Sequence, residues 1–383
     1  MKLFFRKQKN MLLTLILGLI IIGILIILPT GYEDALIYKD AERAVATVLK
    51  ADNSNIITSG LIQTGEQSCL LYVEDGIFKG REITGVNFLS GSLEKDKIFE
   101  VGDKALVTIS YSGDTVSSAI MSDHYRLTKE FILLLLFAGF LILFAGKNGI
   151  QAIFSFVITI LMIWKVLVPS YLKGYSPVWL GIIITILLTT IIIFFVYGFD
   201  KRTVVAALGS LLGTFTTCII GILFTDLFQI QGAVMPHAES LIYSGYQYLD
   251  LTAIFMSSIF IGASGAMMDL AVDITSAVYE VIEKKPDLGW REAMKSGMNV
   301  GRAAMGTMTT TLLLAYSGGY ITLLMVFMAQ GTPIDHILNY KYTAADFLDT
   351  IVGSFGLVTV APFTAFAAGI LLTKPNKSYA RLS

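Results

Sequence analysis

From Pro177 to Gly198 the chain reads PVWLGIIITILLTTIIIFFVYG, a stretch without one charged side chain. A helix crossing the hydrocarbon core of a bilayer takes about 20 mostly apolar residues, because each backbone amide and carbonyl must find its partner within the segment. This stretch has that length and that composition. Outward from it, seven further runs read the same way, at 11–29, 130–146, 149–168, 203–225, 251–277, 303–328 and 347–372. The runs at 130–146 and 149–168 are close enough to form a tight hairpin around Gly146-Lys147-Asn148-Gly149.

The composition agrees. Of 383 residues, 55% are hydrophobic and 15% charged, and the mean hydropathy is +0.70; soluble domains carry about 25% charged residues. The net charge of −1 gives no support to nucleic-acid binding. Cys69 lies in a polar region and Cys218 in an apolar run, so no disulfide and no cysteine metal motif is expected.

Orientation follows from the bias of Lys and Arg toward cytoplasmic loops. With the N-terminus inside, the inner segments collect Lys2, Arg6, Lys7 and Lys9, then Lys147, then Lys201 and Arg202. Lys284, Lys285, Arg291, Lys295 and Arg302 follow, and finally Lys374, Lys377 and Arg381. The short outer loops hold Lys173 and Lys341, with Lys165 near an outer helix end where it can snorkel. Both termini are therefore expected in the cytoplasm. The first run has a basic start and an apolar core like a signal peptide, but it is longer than a typical one and no small-x-small cleavage site follows. It reads as an uncleaved anchor at 1–30.

Residues 31–126 differ in kind. Alternating stretches at 44–49, 69–73 and 105–109 read as strands, and Glu74-Asp75-Gly76 and Ser112-Gly113-Asp114 supply turns. The fold class expected is an α-helical polytopic membrane protein of about eight transmembrane helices. A small β-rich, OB-like barrel forms an extracytoplasmic domain after the first helix. The helical bundle occupies 127–373 and a cytoplasmic tail 374–383.

Chemistry is sought between Gly262 and Tyr316. Asp269 and Asp273 are four residues apart, hence on one face of the sixth span. Counted from the middle of 251–277, Asp269 lies about 7–8 Å toward the cytoplasm at 1.5 Å per residue. A charge there costs several kcal/mol unless it is paired, hydrated or protonated, and the last of these suits a proton or ion relay. The alternative is a structural pairing with no turnover. The seventh span opens with Asn299, Arg302, Thr307 and Thr310; running antiparallel, it brings Arg302 near the level of Asp273 or below it, either as its ion-pair partner or snorkelling to lipid phosphates. Its threonines either bond across to a neighbouring helix or return to their own i−4 carbonyls. Glycine pairs at Gly301 and Gly306, Gly209 and Gly213, and Gly353 and Gly356 permit close helix approach. Between the two spans, Asp287, Trp290, Arg291, Met294 and Lys295 read as a short interfacial amphipathic helix.

His124, His237 and His336 each have an acidic neighbour on the outer side, but no metal-ligand spacing joins them and no metal is expected. Walker, Gly-x-Ser-x-Gly and zincin patterns are missing, so direct ATP binding and catalysis are not expected, nor is any cofactor.

The motif Asp269-x3-Asp273-Ile, the following Val278-Tyr279-Glu280, and Ser296-Gly-Met-Asn299-x-Gly301-Arg302 leading into Met305-Gly-Thr-Met-Thr together resemble the YibE/F family of bacterial membrane proteins. Glu66-Gln67, Gly76-x-Phe78-Lys79-Gly80, Gly102-Asp103-Lys104 and Asp123-His124-Tyr125-Arg126 fit it too, so the resemblance spans nearly the whole chain. It implies a plasma-membrane location and no particular activity. Residues 177–372 are more weakly similar to the membrane core of RND transporters and SecD/SecF. That similarity implies a relay carboxylate near Asp269 or Asp273, and a homo-oligomer or a paired paralogue to complete the core. The function expected is a proton- or ion-coupled transporter or export-related protein. The alternative is a non-transporting accessory or sensor subunit that binds a partner or envelope component through the outer domain.

Overall fold

The computed structural model describes residues 2–34 and 40–373, and the side chains from residue 13 onward. The expected cytoplasmic tail, with Lys374, Lys377 and Arg381, lies outside the described residues. The chain divides into two units, Gly31–Phe144 and the remainder.

The smaller unit is built on six strands: β1 (Ala41–Asp52), β2 (Ile56–Ser59), β3 (Ile62–Val73), β4 (Glu82–Ser90), β5 (Lys104–Ser112) and β6 (Thr115–His124). Five of them close a barrel in the order β1-β5-β6-β4-β3 and back to β1, while β2 extends β3 as a hairpin. All pairings are antiparallel except β4 with β6, which meet at Val86 and Ile120. The three stretches read as strands lie in β1, β3 and β5, and the two predicted turns connect β3 to β4 and β5 to β6. The period-two alternation sends Leu71, Val73, Val107, Ile109 and Met121 into a common core with Phe99. Gln67 is fully buried there. Its amide donates to Asn53 Oδ1 and to the Phe99 carbonyl, both at 2.8 Å, and its Oε1 accepts from Phe99 N at 3.0 Å and Asn87 Nδ2 at 3.1 Å. One side chain thereby ties the connection after β4 to the barrel wall. The unit also contains helix α2 (Leu127–Ala145), which buries none of its residues.

The larger unit is helical. It comprises α1 (Lys2–Ile27), α3 (Lys147–Leu172), α4 (Pro177–Tyr197), α5 (Lys201–Leu227), α6 (Leu251–Lys284), α7 (Trp290–Ser317) and α8 (Lys341–Leu372). A 3-10 turn at Gly318–Tyr320 carries α7 on into a further helix, Ile321–Ala329. Among the described residues seven helices are long and apolar enough to cross a membrane, α2 to α8, with α7 counted through to Ala329. The eighth expected span falls on α1, of which the described side chains form the apolar stretch Leu13–Ile27.

Close packing of α8 against α5, α6 and α7 forms the core. Gly209 of α5 faces Thr364, Gly213 faces Val360 and Gly221 faces Val352, the register of antiparallel neighbours. A methyl at Gly209 would lie 2.9 Å from the Thr364 Cα, so only glycine lets the two backbones approach this closely. On α7, Ala293, Gly297 and Gly301 are buried, Gly297 against Ala365 and Gly301 against Ala361. Gly306 behaves otherwise: nothing lies within 4 Å of where its side chain would be.

α1 is clasped at three heights. Gly18 lies against the rings of Phe154 and Phe195, Thr14 bonds Gln151 at 3.5 Å, and Lys165 Nζ donates to the Leu28 carbonyl at 3.2 Å. Lys165 thus caps the C-terminal end of α1, where a cation is favoured. It sits in a π-helical turn, Ile163–Leu167, just ahead of Pro169, which cannot donate a helical bond.

The separate amphipathic helix expected near 287–297 is not present. Trp290 starts α7, which runs unbroken to Ser317. Alternation of Arg291 and Lys295 with Ala293 and Gly297 mimics an interfacial helix, but the small residues bury against another helix.

Candidate functional site

α6 is inward-facing at Ala263, Met267, Leu270, Ala271 and Ile274, all buried. The remaining positions of the same periodicity, Gly262, Asp269, Asp273 and Ser276, face outward and are exposed. The two carboxylates therefore share one face, as their spacing requires. Neither has an ion pair among the described residues.

Register between α6 and α7 is the expected one. Gly301 packs against Ile274, which sets Arg302 at the height of Asp273. The expected ion pair is nevertheless not formed within the chain, because Arg302 and Asp273 both turn to the outer face. Asn299 is exposed on the same side. The threonines do not bond across to a neighbour either. Thr307 donates to Ala304 O at 3.0 Å, Thr310 to Gly306 O at 3.2 Å and Thr311 to Thr307 O at 3.0 Å. A hydroxyl on an interhelical contact needs a nearby acceptor, and the exposed side of α7 offers it none but its own backbone.

Two further arrangements are not legible in the sequence. At the Asp273 end, the Tyr197 hydroxyl bonds the Val272 carbonyl at 2.7 Å and Ser276 Oγ at 2.6 Å. Arg202 lies over the rings of Tyr197 and Tyr279 at 4.9 and 4.3 Å and pairs with Asp200 at 3.0 Å. The guanidinium brought against α6 here is therefore Arg202, held by stacking and by the Asp200 cap of α5. Asp200 ahead of an apolar run is a readable helix start; the stacking partner on α6 is not readable.

The second arrangement is on α8. Asp349 is one turn beyond Asp346 and close enough to it for their charges to interact. Its Oδ1 is shielded from solvent and has no hydrogen-bond partner among the described residues. Tyr316 of α7 is the neighbouring phenol, its hydroxyl pressed against Gly262. The signal in the sequence was two acids three apart at the start of an apolar run, easily taken for a helix end in water.

Among the described residues no three His, Cys, Asp or Glu side chains converge as a metal site. No curated protein and no solved structure matches the chain. The profile of the YibE/F-like protein family matches residues 133–374. The match takes in α3 to α8, with both carboxylate pairs, and leaves the barrel outside it. On that match, which covers more than half of its length, the chain belongs to the YibE/F-like family.

Proposed function

We propose that this membrane protein is a proton- or ion-coupled transporter or export-related protein, with Asp269 and Asp273 as the relay. The observation that carries the reading is the pair of carboxylates one turn apart, inside a helix long and apolar enough to span a membrane, neither of them paired with a Lys, Arg or His side chain among the described residues. A carboxylate at that depth takes up a proton or a cation more readily than it stays ionised and bare. Asn299, Arg302, Thr307 and Thr310 line the adjacent face of α7. The lipid environment is the plasma membrane, with both termini cytoplasmic and residues 31–126 outside. The ring order of the barrel supports reading it as OB-like.

The test is flux in proteoliposomes. With a pH-sensitive dye inside and an imposed pH gradient, the native protein dissipates the gradient. Asp269→Asn stops it while leaving the protein folded, because the amide keeps the shape and loses the titrating proton. Asp273→Asn, nearer the end of the span, slows it less. Full activity of Asp269→Asn would remove the relay.

A second reading has its own observation. The barrel exposes Leu61, Leu93 and Ile57 at 84%, 72% and 69%, and exposed apolar side chains on two connections and a hairpin strand suit a docking surface. On this reading the chain is an accessory or sensor subunit. It predicts normal assembly with no flux in proteoliposomes.

A further inference from the structure

The outward faces of the bundle are of two kinds. On α8 they carry Phe347, Ile351, Phe355, Phe366 and Ile370, side chains that lipid tails accept. On α6 they carry Asp269, Asp273 and Ser276, and on α7 Asn299, Arg302 and Thr310. All three helices are apolar enough to cross a membrane. A charged side chain facing hydrocarbon costs at least about 2.5–3.5 kcal/mol unless it is paired or hydrated. Asp269 lies inside the span and Asp273 and Arg302 toward its cytoplasmic end, and none of the three has an ion pair among the described residues. Such a face belongs against protein.

We propose that it is the contact between two copies of this chain. Both signs of charge are on the one face, and the packing of Gly301 on Ile274 sets Arg302 level with Asp273. Height is what matters in a membrane dimer. Its two-fold axis runs along the bilayer normal, so each residue meets residues of its own depth on the second copy. Arg302 of one copy then reaches Asp273 of the other, and the reverse pair forms with it. Gly265 and Gly306 have open space where a side chain would be, which lets the two surfaces close. With two carboxylates to each guanidinium, Asp269 stays in the seam without a cation, out of contact with lipid. The inference rests on the membrane reading and not on transport: a dimer without flux and flux without a dimer are both observable.

Two experiments in native membranes test it, in a chain with Cys69 and Cys218 replaced by Ala. In the first, Gly306→Cys and Thr310→Cys are oxidised. A band at twice the chain mass is expected from at least one of them, and none from Phe355→Cys on the α8 face. In the second, Arg302→Glu and Asp273→Lys are made separately. Each alone loses the dimer, since like charges face each other across the axis. Co-expressed under two different tags they copurify, because the mixed pair restores both attractions. No doubled band from either cysteine overturns the proposal, as does cross-linking only to a chain of another mass. Failure of the two folded charge variants to copurify overturns it as well.

Discussion

Gln67 is fully buried in the barrel. It makes four hydrogen bonds inside the core, two of them to the backbone of Phe99, and each buried donor or acceptor left unsatisfied costs about 1–3 kcal/mol. Gln67→Ala is therefore expected to lower the barrel's unfolding midpoint by well over the shift of an exposed substitution, read by limited proteolysis of the full chain across a temperature series. Ser59→Ala, on the exposed hairpin strand, is the control. The Glu66-Gln67 pair carries part of the family resemblance, but nothing in its spacing indicates that Gln67 pins a segment some 30 residues on. Asp269 and Asp273 were legible as a shared face because four residues make one helical turn. The pairing of Asp273 with Arg302 was not, because depth along two helices fixes height and leaves rotation about each axis open. Arg202 filled the neighbouring place through two rings that no local pattern connects.

At the level of elements, the α5–α8 contact is set by glycine. Gly209→Ala would push a methyl into the Thr364 backbone, and overpacking of this kind costs about 1–3 kcal/mol. The expected outcome is a lower thermal unfolding midpoint in detergent, against no change for Gly139→Ala on α2, where the space is open. The strand connections make a different prediction. Lys104 and Thr47 hold the Glu74 carboxyl below the ordinary carboxylate range. The backbone at Ser90 does the same for Asp96, and Arg126 for Asp123. A carboxyl depressed by folding contributes stability that is complete above its unfolded value and is lost as the pH falls toward its folded value. Protease resistance of the barrel is thus expected to hold at neutral pH and to decline from about pH 5 downward; a decline on the alkaline side instead would contradict the assignment. Element type was the most readable property of this chain: uncharged runs became helices and alternating runs became strands. The boundary between α6 and α7 was misread because a small-residue stripe packed against α8 and a lipid-surface helix share one pattern of charges.

For the whole molecule, the proposed orientation is tested by impermeant thiol labelling of cells whose protein has Cys69 and Cys218 changed to Ala. Lys79→Cys in the barrel is expected to label from outside, and Lys295→Cys on α7 is not; the opposite result reverses the topology. The clasp on α1 carries a consequence for biogenesis. Its ring partners, Phe154 and Phe195, and its cap, Lys165, belong to helices that leave the ribosome only after the entire barrel has been made. At about 5–20 residues per second, α1 precedes these partners by many seconds, with its Gly18 groove empty meanwhile. The barrel therefore has time to fold before α3 and α4 arrive, and their arrival supplies the side chains against which α1 packs.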